Sequence, residues 1–251
     1  VLGHPAGLFV LFFTEMWERF SYYGMRALLV MFFTASLLDG GWGWPREHAY
    51  AIFGTYTSLV YLSTLLGGYF ADKKIGYRYA VVIGALLMTL GHGAMAVETP
   101  LFIYLGLTLL VFGSGFFKPN MTSIISEMYK GKDEKNDGAY TIFYMGVNAG
   151  SFLGILLCVY LGEQVGWRWG FGLAGIFMLF GLLQFWFAQN IFGDIGTKPV
   201  KVDSGAVELS ADEPKLNPFT SLQLGLIAIA GVLGISWIFN DPISKISEGA
   251  Y

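Results

Sequence analysis

The chain has 251 residues, of which 55% are hydrophobic, 17% aromatic and only 13% charged, with a formal net charge of −3. Soluble domains carry about 25% charged residues, so this composition describes a chain built for lipid, and neither its charge nor any basic tract favours nucleic-acid binding. The one cysteine, Cys158, excludes an internal disulfide, and no Cys/His cluster suggests a metal centre.

A helix that crosses a bilayer needs roughly 20 mainly apolar residues. Seven stretches qualify, near residues 6–33, 48–71, 79–97, 101–126, 138–161, 167–189 and 219–239. No strand-like alternation competes with them, so the expected class is an all-α multi-pass membrane protein. The organisation expected is a six-helix transmembrane bundle over 1–189, a linker over 190–218, one further transmembrane helix over 219–239 and a tail over 240–251. The linker contains Gly, Pro, Ser and charged residues and reads as solvated. The first apolar run continues into a charged motif within the same helix, so it reads as a span and not as a cleaved signal. Positive charges set the orientation. Lys73, Lys74, Arg78, Lys130, Lys132, Lys135, Lys198, Lys201 and Lys215 follow the even-numbered spans, against Arg46, Arg168 and Lys245 on the other side. The positive-inside bias puts the N-terminus and the linker in the cytoplasm. Six spans and a cytoplasmic linker also have the shape of one half of a major-facilitator-type carrier.

Taken in chain order, the first span holds Glu15, Glu18, Arg19 and Arg26. At 100° per residue these fall with Tyr22 and Tyr23 within an arc of roughly 140°. Charges at membrane depth are expensive and face a partner or a cavity. Glu15 and Arg19 stand at i,i+4 and can pair. Such a stripe is either an ion pair that only ties helices together or a path for protons and solute. A carboxylate beside a movable cation can exchange its proton as that cation leaves. In the second span Tyr61 reads first as an interior or interfacial tyrosine. His92 in the third span reads as a packing histidine satisfied by a neighbouring helix and not as a relay. The fourth span carries Lys118 deep in an apolar run, directly before Pro119, which is expected to break the helix ladder there. The segment Gly113–Lys118 is not a phosphate loop, because it lacks both the GxxxxGK[ST] spacing and a preceding strand. In the fifth span Gly146, Gly150 and Gly154 repeat every four residues and predict a close helix contact. Asn148, between them, can bond either a helix or a solute.

These residues carry a resemblance. Glu15-Met-Trp-Glu18-Arg19-Phe20-Ser-Tyr22-Tyr23-Gly24 resembles the ExxERFxYYG signature of proton-coupled oligopeptide transporters, a branch of the major facilitator superfamily. Gly113–Asn120 resembles that family's GxGxxKPN segment, and Phe143–Ser151 its FYxxINxGS segment, with Val147 in place of isoleucine. Gly67–Lys74, Gly76 and Arg78 are similar to its gating loop after the second span. The resemblance implies a symporter of di- and tripeptides in the cell membrane, driven by the proton gradient without a cofactor, and not an enzyme. It implies proton coupling by Glu15, Glu18 and Arg19, with Lys118 exchanging ion pairs with them. Arg26 and Lys118 would take the peptide carboxylate, Tyr22, Tyr23, Tyr61 and Asn148 would line the cavity, and Asp72 and Arg78 would serve the gate.

Members of that family have twelve core spans, so the resemblance implies a missing C-terminal half of the same transporter. The seventh stretch, Phe219–Phe239, lacks the acidic motif of the family's seventh core helix and is similar instead to an inserted helix between the halves. A nitrate or other small-anion carrier would use Arg26 and Lys118 in the same way. A membrane receptor or scaffold is the alternative of a different class, and it gives no reason for Glu15, Glu18, Arg19 and Lys118 to occur together.

Overall fold

The computed structural model describes residues 3–131 and 133–198. Within them lie the helices α1 (Ala6–Thr34), α2 (Arg46–Phe70), α3 (Tyr77–Met95), α4 (Pro100–Met128), α5 (Asp133–Gln164) and α6 (Trp167–Ala188), with single turns at Leu37–Asp39, Ala71–Ile75 and Gln189–Phe192. Among the described residues there is no strand. The linker beyond residue 198, the stretch 219–239 and the tail lie outside the described residues.

The helices are long because their apolar runs are long. The 29 residues of α1 or α4 extend about 43 Å at 1.5 Å per residue, more than the roughly 30 Å hydrocarbon core. Five helices, α2 to α6, are long and apolar enough to cross a membrane. The length of α1 matches theirs, but it carries Glu15, Glu18, Arg19 and Arg26 in its middle. The protein is a multi-pass membrane protein.

Small residues decide which helices touch. α1 packs on α5 and α6, α3 on α4 and α6, and α2 on α4. The glycine repeat of α5 is the seam against α1. A methyl group on Gly146 would come within 2.8 Å of the Phe12 carbonyl oxygen, and one on Gly150 or Gly154 would strike the carbonyls of Met16 or Phe20. The partners therefore recur every four residues on both helices, as close backbone packing requires. The same device joins α3 to α4, where a methyl on Gly84 would lie 2.7 Å from the Gly113 carbonyl. Ser63 adds a polar stitch from α2 to α4, donating to the Val111 carbonyl at 2.7 Å.

At the end of the bundle that holds the α1–α2 and α5–α6 turns, aromatics close the packing. Phe33 stacks on Trp42 at 5.1 Å, and Trp167 Nε1 donates to the Asp39 carbonyl at 2.9 Å. The opposite end is polar. Arg78 is buried at the start of α3, where Nε donates to the Ile195 carbonyl at 2.6 Å and Nη2 to that of Gly193. The backbone N–H of Gly196 donates to Glu127 Oε2 at 2.7 Å. Gly76 precedes α3 with φ +81°, a left-handed value suited to glycine, and a methyl there would lie 2.5 Å from the Thr197 carbonyl.

Two expectations are corrected. The helix is not broken at Pro119, because α4 continues through it from Pro100 to Met128. The Thr122 and Ser123 hydroxyls fold back onto the Pro119 carbonyl at 2.9 and 3.0 Å. Proline removes one rung of the ladder, the bond to the Gly115 carbonyl, and the rest of the ladder carries the helix through. His92 is fully buried beside Gly175 of α6, yet neither ring nitrogen has a hydrogen-bond partner among the described residues. Space at a glycine brought the α6 backbone close without offering it an acceptor.

Candidate functional site

The polar stripe of α1 folds as one cluster. Arg19 donates from Nε to Glu15 Oε1 at 2.6 Å, and its Nη2 lies 2.6 Å from the same oxygen. Arg19 Nε also stands 3.1 Å from Glu18 Oε2. That second approach brings opposite charges together without forming a well-aligned hydrogen bond. Both Glu18 oxygens and Glu15 Oε2 are buried without a hydrogen-bond partner among the described residues. The Glu18 side chain is fully buried and that of Glu15 is 3% exposed. Two carboxylates thus share one guanidinium, and Glu15 holds most of it. Leaving an ionised carboxylate buried and unpaired is strongly unfavourable, so Glu18 is the less compensated of the two.

One turn further along, the buried Tyr22 ring carries two cations. Lys118 Nζ of α4 lies 3.8 Å from the ring centroid, and the Arg26 guanidinium lies 5.8 Å from it. Arg26 also sits 4.9 Å above the Phe53 ring of α2. Cations over aromatic faces gain about 0.5–2 kcal/mol, depending on desolvation. Tyr23 meets Tyr22 edge-on at 5.3 Å. In this structure Lys118 makes no ion pair with the glutamate cluster. Both ion pairs found among the described residues use Arg19, while Lys118 rests on Tyr22.

Glu15, Glu18, Arg19, Tyr22, Tyr23, Arg26 and Lys118 therefore come together, spanning α1 and α4. Tyr61 is 68% exposed on α2 and interacts electrostatically with Tyr22, and Asn148 is exposed on α5. Asp72 and Arg78 belong to the polar end, not to this cluster. Asp72 is exposed, and Arg78 is engaged with the backbone after α6. Two residues of α2, Phe53 and Tyr56, escaped the sequence reading. Ala49, Tyr56, Val60, Ser63 and Gly67 are buried at helical spacing, so Tyr56 faces inward whereas Tyr61 is exposed; in the sequence only the small residues Ala49, Ser63 and Gly67 on that face mark it.

In membrane helix bundles, a cluster of charges at membrane depth is the kind of feature that marks paths for polar solutes or ions. The family model of the POT family, PTR2, matches residues 78–206, and the chain belongs to that family. It is 46% identical over 187 residues to the peptide transporter YePEPT of Yersinia enterocolitica, covering 73% of this chain and 36% of that protein. It is 40% identical over 251 residues to a di-/tripeptide transporter of Lactococcus lactis, covering 98% of this chain and 49% of that one. A crystal structure of a peptide transporter POT in complex with sulfate superposes with a TM-score of 0.75 at 37% identity, covering 99% of this chain and 48% of that chain. The chain spans half or less of the length of these relatives, whose named activity is transport and not catalysis.

Proposed function

We propose that the chain is the first bundle of a proton-coupled carrier of di- and tripeptides that works by alternating access. The observation that carries the reading is the cluster itself, two buried carboxylates on one arginine beside two cations that have no carboxylate partner among the described residues. Glu18 takes and releases the proton. When it is neutral, Arg19 is held by Glu15 alone; when it ionises, it competes for Arg19, and Lys118 is the nearest reserve cation on α4. Arg26 and Lys118 receive the peptide carboxylate, the arginine as a fork and the lysine as a point charge. Tyr22, Tyr23, Tyr61 and Asn148 offer polar contacts that depend on the peptide backbone and not on its side chains. The proton gradient is the driving force, and no cofactor is required.

In this reading the bundle lies in the cell membrane with its N-terminus in the cytoplasm, as the lysine-rich loops favour. A C-terminal bundle of the same transporter completes the cavity and supplies the acceptor for the peptide ammonium. Asp72 and Arg78 belong to the cytoplasmic gate. The relatives named as peptide transporters support the substrate class. The test is uptake of labelled di-alanine by liposomes holding the complete carrier under an inward proton gradient, with nitrate as competitor. Saturable uptake that collapses with a protonophore and ignores nitrate supports the reading. Nitrate-coupled proton flux without peptide flux would replace it with an anion carrier using the same two cations.

A further inference from the structure

Tyr56 of α2 is buried, 3% exposed, and its hydroxyl has no hydrogen-bond partner among the described residues. A buried phenol normally finds one, and an orphaned donor is costly. Helices α1 and α2 are joined by the short segment 35–45 and run antiparallel. The contact of Arg26 with Phe53 fixes their register at 4.9 Å. Tyr56 is three residues beyond Phe53 on the same face, so it sits one turn back along α1 from Arg26, level with Tyr22 and the end of the glutamate cluster. Its electrostatic neighbours are Tyr22, Glu18 and Arg26. The nearest buried carboxylate, Glu18, lacks a hydrogen bond to either oxygen. An unmatched donor on α2 and an unmatched acceptor on α1 thus lie about one helical turn apart along adjacent helices.

We propose that Tyr56 is a positioning residue for Glu18, its hydroxyl donating a hydrogen bond to the Glu18 carboxylate once that group has released its proton. Tyr56 keeps its own proton throughout. It supplies the donor that Arg19 supplies only at poor alignment, and so stabilises ionised Glu18 after the proton has left. The other charged or titratable groups facing Glu18 are Glu15, Arg19 and Tyr22 on α1 and Lys118 on α4, and none of them gives its oxygens a hydrogen bond.

The inference rests on the proton-coupling role assigned to Glu18 above, and the test separates the two. Tyr56→Phe removes one oxygen and keeps the ring. In proteoliposomes of the complete carrier, the pH at half-maximal proton-driven di-alanine uptake should move up by about one pH unit, the effect of losing one hydrogen bond to a charged group. Gradient-free exchange of di-alanine should stay within about twofold, which establishes that the variant is folded. An exchange-competent variant with an unmoved pH profile overturns the inference. Loss of exchange together with a lowered melting temperature would assign Tyr56 to packing and also overturn it. Glu18→Gln measured alongside reports on the underlying reading. If proton-driven uptake survives that change, the coupling role of Glu18 fails; if it is abolished while Tyr56→Phe keeps the parent profile, only the Tyr56 inference fails.

Discussion

Replacing Arg26 by Ala should weaken binding of peptides with a free C-terminus by roughly 10-fold, with little effect on the same peptides amidated. Arg26 lies 5.8 Å from the Tyr22 ring and 4.9 Å from Phe53, and Lys118 Nζ lies 3.8 Å from the same Tyr22 ring. A carboxylate beside Tyr22 is therefore within reach of both cations. Hydrogen bonds to charged groups contribute about 1.5–3 kcal/mol, or roughly 10- to 150-fold in affinity. Lys118 remains in the variant, which puts the expected loss at the lower end of that range. The contact with Phe53 is lost as well, at about 0.5–1 kcal/mol, but that penalty falls on every ligand alike. The assay is competition of di-alanine and di-alanine amide against labelled peptide in proteoliposomes, with the affinity ratio of the two competitors as the readout. A ratio unchanged between parent and variant would show that Arg26 does not receive the carboxylate.

Glu18→Gln should abolish proton-driven uptake while peptide exchange across the membrane persists, measured with and without an imposed gradient. Gly150→Leu should lower the melting temperature of the detergent-purified protein, since even a methyl group there strikes the Met16 carbonyl and overpacking costs about 1–3 kcal/mol. Gly172→Ala, which meets nothing within 4 Å, should leave it unchanged. Arg78→Ala strands the Gly193 and Ile195 carbonyls and should weaken the attachment of residues 193–197 by about 1–3 kcal/mol, read as faster amide exchange there with α3 itself still protected.

The fold class and the charged stripe were legible because both depend on local rules. Hydropathy over some twenty residues locates a span whatever its neighbours, and the 3.6-residue period alone assembles Glu15, Glu18, Arg19, Tyr22 and Arg26 on one face. The α1–α5 seam was equally legible, because glycines four residues apart have few other uses inside a membrane helix. Pairing across helices was not. Lys118 lies near both the glutamate cluster and an aromatic ring, and composition gives no means to choose between them; in the folded bundle its Nζ lies over Tyr22. Tyr56 was hidden for a similar reason. Tyr61 matches the family's pattern of cavity residues, while in the sequence Tyr56 is marked only by the small residues Ala49, Ser63 and Gly67 on its face of α2. His92 and Pro119 went wrong in opposite directions. A buried histidine usually finds a partner, but the α6 backbone that Gly175 brings near His92 spends its carbonyls within its own helix, and one proline costs a long apolar helix a single rung without ending it.

In the proposed carrier, the charge inventory of the cluster would let one site serve both proton and peptide. Arg19, Arg26 and Lys118 oppose Glu15 and Glu18, three positive charges against two negative. With all five ionised the site has one positive charge in excess; protonation of either glutamate raises the excess to two, and an arriving peptide carboxylate returns it to one. In a poorly screened interior such changes count for far more than in water. Protonation therefore favours carboxylate binding, and by linkage the bound carboxylate favours protonation to the same extent. No proton wire between the glutamates and the substrate is needed for this coupling, because Arg19 and Lys118, standing between the carboxylates and Arg26, belong to both halves of the exchange.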